Sequence, residues 1–298
     1  MPSLAAAPPD HLQGHVRIEE LLDGALVRFA VADAGFLRFG DGERVFEEAP
    51  PRLAYAERAI TRAFDLGSYL DTVDDLTRYT FVGVATHRRH IDYDWDRLPP
   101  VLGTAIHDAA EGRWLPPDRV ERVFERLGPP PLDPVERERS IGRRPLDGYD
   151  LPASVWYDGP AAGVVITDKR GDRAKLVRAD LPRGEPSARV ETGDAEGLAE
   201  RFVTDALLAD RAAALSGKED VAFDPLFEAV LDRVTRAHHD ALFHGPSRGR
   251  PRRCRWRRGT ARRGGPASPG RGRPRTAGRR PRPLCHPAPR PGRPATRP

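Results

Sequence analysis

The sequence predicts an α+β fold built on antiparallel sheets. Strand-like segments near the N-terminus follow one another across Asp-Gly and Asp-Ala-Gly turns, which commonly close hairpins. Helical stretches are interspersed among the strands, without the strand–helix–strand rhythm of a parallel sheet. We therefore expect two antiparallel sheets flanked by helices, followed by a small C-terminal helical appendage.

The strand predictions rest on β-branched and apolar runs bounded by turn residues. The predicted strands are a meander of three at 15–20, 25–31 and 35–40, then 79–86, 101–108, 154–159, 162–169 and 173–179. Residues 1–12 are rich in Ala and Pro, and we expect them to be loose. A Pro-rich, charged connector is expected from Pro129 to Pro152.

The helix predictions rest on apolar residues that recur with a period close to 3.6. Residues 51–76 read as a helix interrupted near Gly67, and residues 116–128 as a short helix with Pro near its start and Gly at its end. Residues 193–216 and 222–243 read as two terminal helices. The predicted apolar face of the second comprises Phe223, Leu226, Phe227, Val230, Leu231 and Val234.

The last 53 residues differ sharply in composition from the rest. Residues 246–298 contain 18 Arg, 12 Pro and 8 Gly and no acidic residue, so they lack the apolar surface needed to offset ordering entropy, and we predict disorder. One interpretation is a frameshift near residue 245 in GC-rich coding DNA. The other is an RNA-binding tail, because Arg/Gly-rich segments bind RNA phosphates. The predicted domain boundaries are thus 13–190, 191–245 and 246–298.

Residues 1–245 are acidic and poor in lysine. Of the 49 basic residues 18 lie in the tail, which leaves 31 against 44 acidic residues, a net charge of −13. This balance is typical of a cytoplasmic protein of a salt-loving cell, although a GC-rich genome also favours Arg over Lys. Cys254 and Cys285 both lie in the tail, so no disulfide or cysteine metal site is expected in the fold. No leader or membrane segment is recognisable.

Residues 85–99 form a polar stretch in which His87, His90, Asp92 and Asp94 fall within eight positions. Imidazole and carboxylate groups are good ligands for transition metals, so one interpretation is a metal site. We favour the other, a polar loop anchored in the core by Tyr93 and Trp95, because such clusters are usually solvated. No metal ligand is therefore assigned.

Five short segments follow one another in a recognisable order. They are "ELLDG" (20–24), "RFG" (38–40), "FVGV" (81–84), "AGVV" (162–165) and "RAK" (173–175). In order and separation they resemble the motifs of the ATP-dependent RNA ligase family, within the covalent nucleotidyltransferases, and the chain is similar to RNA-ligase-like proteins of haloarchaea over residues 14–243. The resemblance implies a nucleotidyltransferase domain with a nucleotide cleft between its sheets, ATP and Mg²⁺ as cofactors, and RNA as partner.

The resemblance also implies a role for each matched position. In the family a lysine attacks the α-phosphate of ATP where this chain has Leu21, an acid binds the ribose where it has Val84, and an acid binds the divalent ion where it has Ala162. Three catalytic positions are therefore degenerate. The matched nucleotide-binding positions are Glu20, Asp23, Gly24, Arg38, Gly40, Arg173 and Lys175, with Lys169 as a further phosphate contact.

These substitutions indicate that RNA end joining through a lysyl-adenylate is impaired or lost. Leucine has no lone pair with which to form an adenylate, and valine and alanine cannot ligate a metal ion. The main alternative is a non-catalytic nucleotide-binding or RNA-binding protein. An active enzyme in which Lys169 or Lys175 replaces the missing nucleophile and a gene product without function also stay open.

Overall fold

The computed structural model describes residues 1–243, apart from residues 9, 143–145, 147, 182–194 and 216–221. As predicted, the fold is α+β, with two antiparallel sheets and helices at the C-terminal side. The predictions for residues 246–298 lie outside the described residues. Among the helices that the structure describes, none is long and apolar enough to cross a membrane.

Nine strands form the two sheets. They are β1 (His15–Glu20), β2 (Gly24–Val31), β3 (Leu37–Gly40), β4 (Tyr79–Thr86), β5 (Val101–Asp108), β6 (Arg113–Trp114), β7 (Pro134–Ser140), β8 (Gly163–Asp168) and β9 (Arg173–Val177). The first sheet has the order β7-β1-β8-β9, and the second has the order β3-β2-β4-β5-β6. Every pairing between these strands is antiparallel.

The helices lie between β3 and β4, after β6, and after β9. They are α1 (Ala54–Ala63), α2 (Leu66–Thr72), α3 (Pro117–Leu127), α4 (Ala195–Phe202), α5 (Asp205–Leu215), α6 (Phe223–Ala237) and α7 (His239–Phe243). The predicted break near Gly67 is confirmed and falls at Phe64 and Asp65, between α1 and α2. Asp65 begins α2 because its carboxylate accepts a hydrogen bond from the Ser68 N–H, at 2.9 Å.

The predicted meander at 15–40 is wrong in its first step, because β1 and β2 lie in different sheets. The Leu21 N–H donates to the Gly163 carbonyl at 2.9 Å, and Gly24 then pairs with Thr86 in the second sheet. A Cβ atom on Gly24 would lie 2.5 Å from the Ala85 carbonyl oxygen, so glycine permits this close approach. "LLDG" is thus a crossover between the sheets and not a hairpin turn.

Two further segments differ from expectation. Residues 154–159 form no strand; they make a loop closed by an isolated bridge between Ala153 and Pro160. Conversely, the predicted connector contains β7, which pairs with β1 at the edge of the first sheet. The sequence of β7, PVERERS, is highly charged, as an edge strand with one side facing water can be. Because of these charges the segment was predicted to be a connector and not a strand.

The N-terminal residues, expected to be loose, cover the edge strand β9. The Lys175 N–H donates to the Pro2 carbonyl at 3.0 Å, and His11 Nε2 is hydrogen bonded to the Arg173 carbonyl at 2.8 Å. Leu12 is buried beside them. An edge strand presents unpaired backbone groups, and the N-terminal segment pairs some of them.

The buried apolar residues form three clusters. One lies between the second sheet and α1–α3, and another lies on the outer face of the first sheet. The third, which we call the cleft cluster, lies where the two sheets approach. Its buried members are Leu22, Ile91, Tyr93, Trp95, Leu98, Leu102, Leu132, Ala162 and Ala237, with Val84, Trp156, Tyr157 and Leu181 packed against them.

The apolar face predicted for the last helix is only partly buried. Val230 is buried, but Phe223 is 76% exposed and Phe227 is 51% exposed. The helix instead buries its C-terminal end, including Arg236, which is 2% exposed. The C-terminal helical region is therefore anchored in the core through a polar residue.

Glu121 on α3 fastens the helix to the first sheet, and its effect on stability should depend on pH. Hydrogen bonds from Arg137 and Arg17 lower the pKa of Glu121 from 4.5 to about 2. The stabilisation is therefore present above the unfolded pKa of 4.5 and is lost as the pH falls from there towards 2. We expect Glu121→Gln to reduce the free energy of unfolding at pH 7 by about 1–2 kcal/mol, after solvent screening.

Denaturant unfolding at pH 7 and at pH 2.5 measures this effect. The difference between wild type and Glu121→Gln should shrink strongly at the lower pH. Glu125→Gln, at an exposed position of the same helix, is the matched control and should change stability little at either pH. A Glu121 effect of the same size at both pH values would contradict the assignment.

Candidate functional site

The matched positions of the first and fourth segments meet at one end of the first sheet. Leu21 follows β1 and is bonded through its N–H to Gly163 O, while Ala162 immediately precedes Gly163. The Arg178 N–H in turn donates to the Ala162 carbonyl at 2.9 Å. The positions at which the resemblance places a nucleophile and a metal-binding acid are therefore neighbours across β1 and β8.

The matched position of the third segment joins them through the cleft cluster. Val84 on β4 packs against this cluster, and Leu22 and Ala162 are buried members of it. Ala162 is 2% exposed. The place where the resemblance expects carboxylates is thus occupied by packed apolar side chains, which cannot bind a metal ion or the hydroxyls of a ribose.

Residues 87–98, which we call the closing loop, pack over the crossover at Asp23. The Asp23 carboxylate accepts backbone N–H groups of His90 and Ile91 and is hydrogen bonded to His90 Nδ1 at 3.1 Å. The Asp23 N–H donates to the Tyr93 hydroxyl at 2.9 Å. Burial raises the pKa of that hydroxyl, so it stays protonated. The buried Asp23 therefore organises the closing loop.

The predicted anchoring of residues 85–99 by two aromatic side chains is confirmed, since Tyr93 is 3% exposed and Trp95 is 4% exposed. The four candidate metal ligands point to different partners. His87 stacks on His239 and is bonded to Tyr55, whereas His90 meets Asp23. Asp92 pairs with Arg88 and accepts from Trp95, and Asp94 accepts from the Asp96 N–H. Within the described part of the chain, no group of three metal-ligating side chains converges.

Of the two candidate replacement lysines, Lys175 lies nearer to Leu21. Lys175 lies on β9, two strands away from β1, and pairs with Val165 of the intervening strand β8. Strand geometry places the Cα of Lys175 about 12 Å from the Cα of Leu21. Lys169 follows the far end of β8, about 20 Å from Gly163 along the strand. The ammonium of Lys169 also pairs with Glu138 at 2.9 Å. The structure therefore does not bring Lys169 to the site.

Arg173 lies deeper between the sheets, beside a buried acid. Burial raises the pKa of Glu19, and the charges of Arg173 and Arg17 oppose that rise. Burial also lowers the pKa of Arg173, which the charge of Glu19 opposes. A cation that is matched by a buried carboxylate is less available to a phosphate group. The charge of Arg173 is therefore partly balanced by Glu19, while its buried Nε has no hydrogen-bond partner among the described residues.

Glu20, the first residue of the first segment, is buried at the end of β1. It pairs with Val164, and Glu20 Oε2 accepts a long hydrogen bond of 3.4 Å from the Val155 N–H. Burial raises the pKa of its carboxyl, and Oε1 has no partner among the described residues. The loop at 154–157 thus covers the position at which the resemblance expects a nucleotide contact.

The remaining matched positions lie at the outer edge of the second sheet. Arg38 is exposed on β3, and Gly40 is paired with Arg28 of β2. A Cβ atom on Gly40 would lie 2.5 Å from the Arg44 carbonyl oxygen, so Gly40 permits a tight turn and need not bind a ligand.

Arg236 is the residue at this site that sequence reasoning missed. Its guanidinium donates to the carbonyls of Thr86, Trp95, Leu98 and Pro99 and to the Thr86 hydroxyl. It also pairs with Asp232 at 3.3 Å. Arg236 therefore ties α6 to both ends of the closing loop. The only signal in the sequence was an arginine near the end of an amphipathic helix, which is normally an exposed position.

The described residues do not fit the ATP and Mg²⁺ that the resemblance implies. The positions of the two expected acids carry Val84 and Ala162, and the neighbouring carboxylate of Asp23 is satisfied by the closing loop. Mg²⁺ requires oxygen ligands in near-octahedral geometry. We therefore derive no metal-assisted step at this site.

No protein-family model matches the chain, and no curated protein sequence matches it. The fold is similar to solved structures of RNA ligases. Two forms of an archaeal ATP-dependent RNA ligase are 16% and 15% identical, with 79% and 80% of this chain and 56% and 61% of those chains covered, each with a TM-score of 0.43. A Naegleria gruberi RNA ligase mutant with ATP and Mn is 11% identical, with 60% and 55% covered and a TM-score of 0.46. The chain thus spans less than two thirds of these ligases.

Proposed function

We propose that this chain is an RNA ligase-like protein that has lost covalent nucleotidyl transfer and retains binding of RNA. The observation that carries the proposal is the cleft cluster, which includes Ala162 and packs against Val84 where ligation needs two acids. With Leu21 at the matched position of the nucleophile, three anchors of the chemistry are absent, and each costs orders of magnitude in rate. The ligase-like domain in this proposal is 13–190, followed by the helical region 191–245.

Retained binding is supported by three cations that we call the arginine strip, Arg28, Arg38 and Arg89. Arg28 and Arg38 lie diagonally across β2 and β3, with Cβ atoms about 7–8 Å apart. Neither forms an ion pair or a side-chain hydrogen bond with a described residue. Arg89 Nη1 bonds to the Gly24 carbonyl at 3.2 Å, which adds a third guanidinium at the start of β2.

The strip suits a polyanion, because free guanidinium groups bind phosphates through charge-assisted hydrogen bonds. Leu26, 46% exposed, lies on β2 between Gly24 and Arg28 and offers an apolar contact. The unpaired cations stand out because residues 1–245 carry a net charge of −13. RNA binding at this strip requires neither ATP nor a metal ion. The net negative charge of residues 1–245 supports the proposal that the protein works in the cytoplasm of a salt-loving cell.

Fluorescence anisotropy with a short single-stranded RNA tests the proposal. We expect Arg28→Gln with Arg38→Gln to weaken binding and to reduce the slope of log affinity against log salt by about 1.4, since each lost phosphate contact removes about 0.7. The control, Arg119→Gln with Arg126→Gln, removes the same charge at two exposed positions of α3 that form no ion pair with a described residue. Both double variants keep the same arginine-rich tail, so a difference between them reports on the strip. Equal slopes in the two variants, or binding that depends on ATP, would refute the proposal.

A further inference from the structure

A cavity of about 430 Å³ lies on the helix-covered face of the second sheet. Residues of α2 and α3 form two of its walls, and β4 and β5 contribute its floor. The cleft cluster lies on the opposite face of the same sheet, because Phe81 faces the helices while Val84 packs against the cleft cluster. The cavity is therefore separate from the site assigned above.

The floor and inner wall of the cavity are apolar and incompletely covered. Val73, Tyr79, Leu115, Val123 and Leu127 line the cavity, and each is only partly buried although it packs against the core. Apolar side chains at the bottom of a concave site gain free energy when a ligand displaces water from them. This half of the cavity favours an aromatic ring or a hydrocarbon chain.

The outer wall carries three arginines from α3, Arg119, Arg122 and Arg126. All three are exposed. Arg122 Nε donates only to the Asp118 backbone carbonyl, at 3.1 Å, and the side chains of Arg119 and Arg126 form no ion pair or hydrogen bond within the described parts of the chain. Three like charges at spacings of three and four on a helix repel one another. An anion bound beside them removes that repulsion.

The charges of α3 are divided between two flanks. At 100° per residue, Arg119, Arg122 and Arg126 fall within an arc of about 60°, and the acids fall on another flank. Those acids are Asp118, Glu121 and Glu125. Glu121 on the acidic flank bonds to Arg17 and Arg137, away from the cavity. Asp118 and Glu125 lie one turn from Arg122, but neither forms an ion pair with an arginine of this flank among the described residues.

The acids of the opposite wall are already neutralised. Asp108 accepts a two-pronged hydrogen bond from Arg78, with Nε and Nη2 to Oδ2 at 3.1 and 2.7 Å, and these bonds lower the pKa of Asp108. Glu111 pairs with Arg113 and lies 3.7 Å from Arg78. The net field in the cavity is therefore positive on the side of α3.

We propose that this cavity binds a small organic anion, in which an apolar ring or chain lies against Val123 and Leu127 and a phosphate, sulfonate or carboxylate group meets the three arginines. The apolar half and the cationic half lie side by side in one concavity, which matches a ligand with both characters. An extended nucleic acid does not match it, because a polyanion gains little from an apolar floor.

The test uses the full chain and the fluorescent probe 8-anilinonaphthalene-1-sulfonate, which has an aromatic body and one anionic group. We expect saturable binding that weakens about tenfold or more in the variant Arg119→Gln, Arg122→Gln, Arg126→Gln, since charge-assisted contacts are lost. The second variant, Val123→Trp, fills the apolar half and leaves the arginines in place. It should also weaken binding about tenfold.

The matched control is Arg62→Gln, Arg88→Gln, Arg97→Gln, which removes three exposed guanidinium groups elsewhere. It should leave the dissociation constant of the probe within about twofold. Thermal unfolding checks that each variant is folded. Unchanged binding in the charge variant or in Val123→Trp overturns the proposal. A short RNA that competes with the probe equally well in wild type and Val123→Trp would also overturn it, in favour of a nucleic-acid surface.

Discussion

Replacement of Arg236 by methionine is expected to lower the free energy of unfolding by about 3–5 kcal/mol. Arg236 is 2% exposed and donates to three buried carbonyls of the closing-loop region, those of Thr86, Trp95 and Leu98. Methionine fills a similar volume but offers no donor, so these oxygens lose a partner without regaining water. Denaturant unfolding at pH 7 measures the loss.

Arg233→Met is the matched control, since Arg233 lies one turn earlier on α6 and its Nη1 has no hydrogen-bond partner among the described residues. We expect it to cost less than about 1 kcal/mol. A protein that tolerates Arg236→Met as well as Arg233→Met would show that α6 does not hold the closing loop.

Most individual strands and helices could be predicted from the sequence, because hydrophobic periodicity and turn residues are local signals. The strands at 79–86 and 101–108 and the helix at 116–128 were found for that reason. The choice of partner strand is not local. The Asp-Gly at 23–24 is typical of a hairpin, but buried contacts with Gly163 on one side and Thr86 on the other pull β1 and β2 into different sheets.

Two parts of the site could be predicted from the sequence: the five short segments, which follow one another in a fixed order, and the aromatic residues that anchor residues 85–99. Tyr93 and Trp95 were expected to anchor their loop, because large aromatic side chains within a polar stretch gain most from burial. The approach of Val84 and Ala162 was expected only from the family resemblance, because about 80 residues separate them and each reads as ordinary core. Arg236 was missed because its partners lie about 140 residues earlier in the chain.

Loss of the covalent step is the second large effect that we expect. Formation of a lysyl-adenylate needs an amine about 3–3.5 Å from the α-phosphorus, in line with the leaving group. Leu21 supplies no amine, and the Cα of Lys175 lies about 12 Å from that of Leu21 by strand geometry. Val84 and Ala162, at the two positions where the resemblance expects acids, offer no oxygen ligand for a metal ion or a ribose.

Single substitutions of the two candidate lysines separate the possible nucleophiles. Lys175→Ala removes the nearer lysine, and Lys169→Ala removes the one that pairs with Glu138. If covalent transfer is lost, as we propose, neither substitution should change the covalent labelling of the chain. An active RNA ligase, treated in parallel, shows that the nucleotide and the metal ions are competent.

Incubation of the wild-type chain with α-labelled ATP and Mg²⁺ or Mn²⁺, followed by denaturing electrophoresis, tests the loss of nucleotidyl transfer most directly. We expect no label above background on the wild-type chain. A covalent label on the wild-type chain that withstands denaturation would contradict that expectation, and its disappearance in Lys175→Ala would identify Lys175 as a relocated nucleophile.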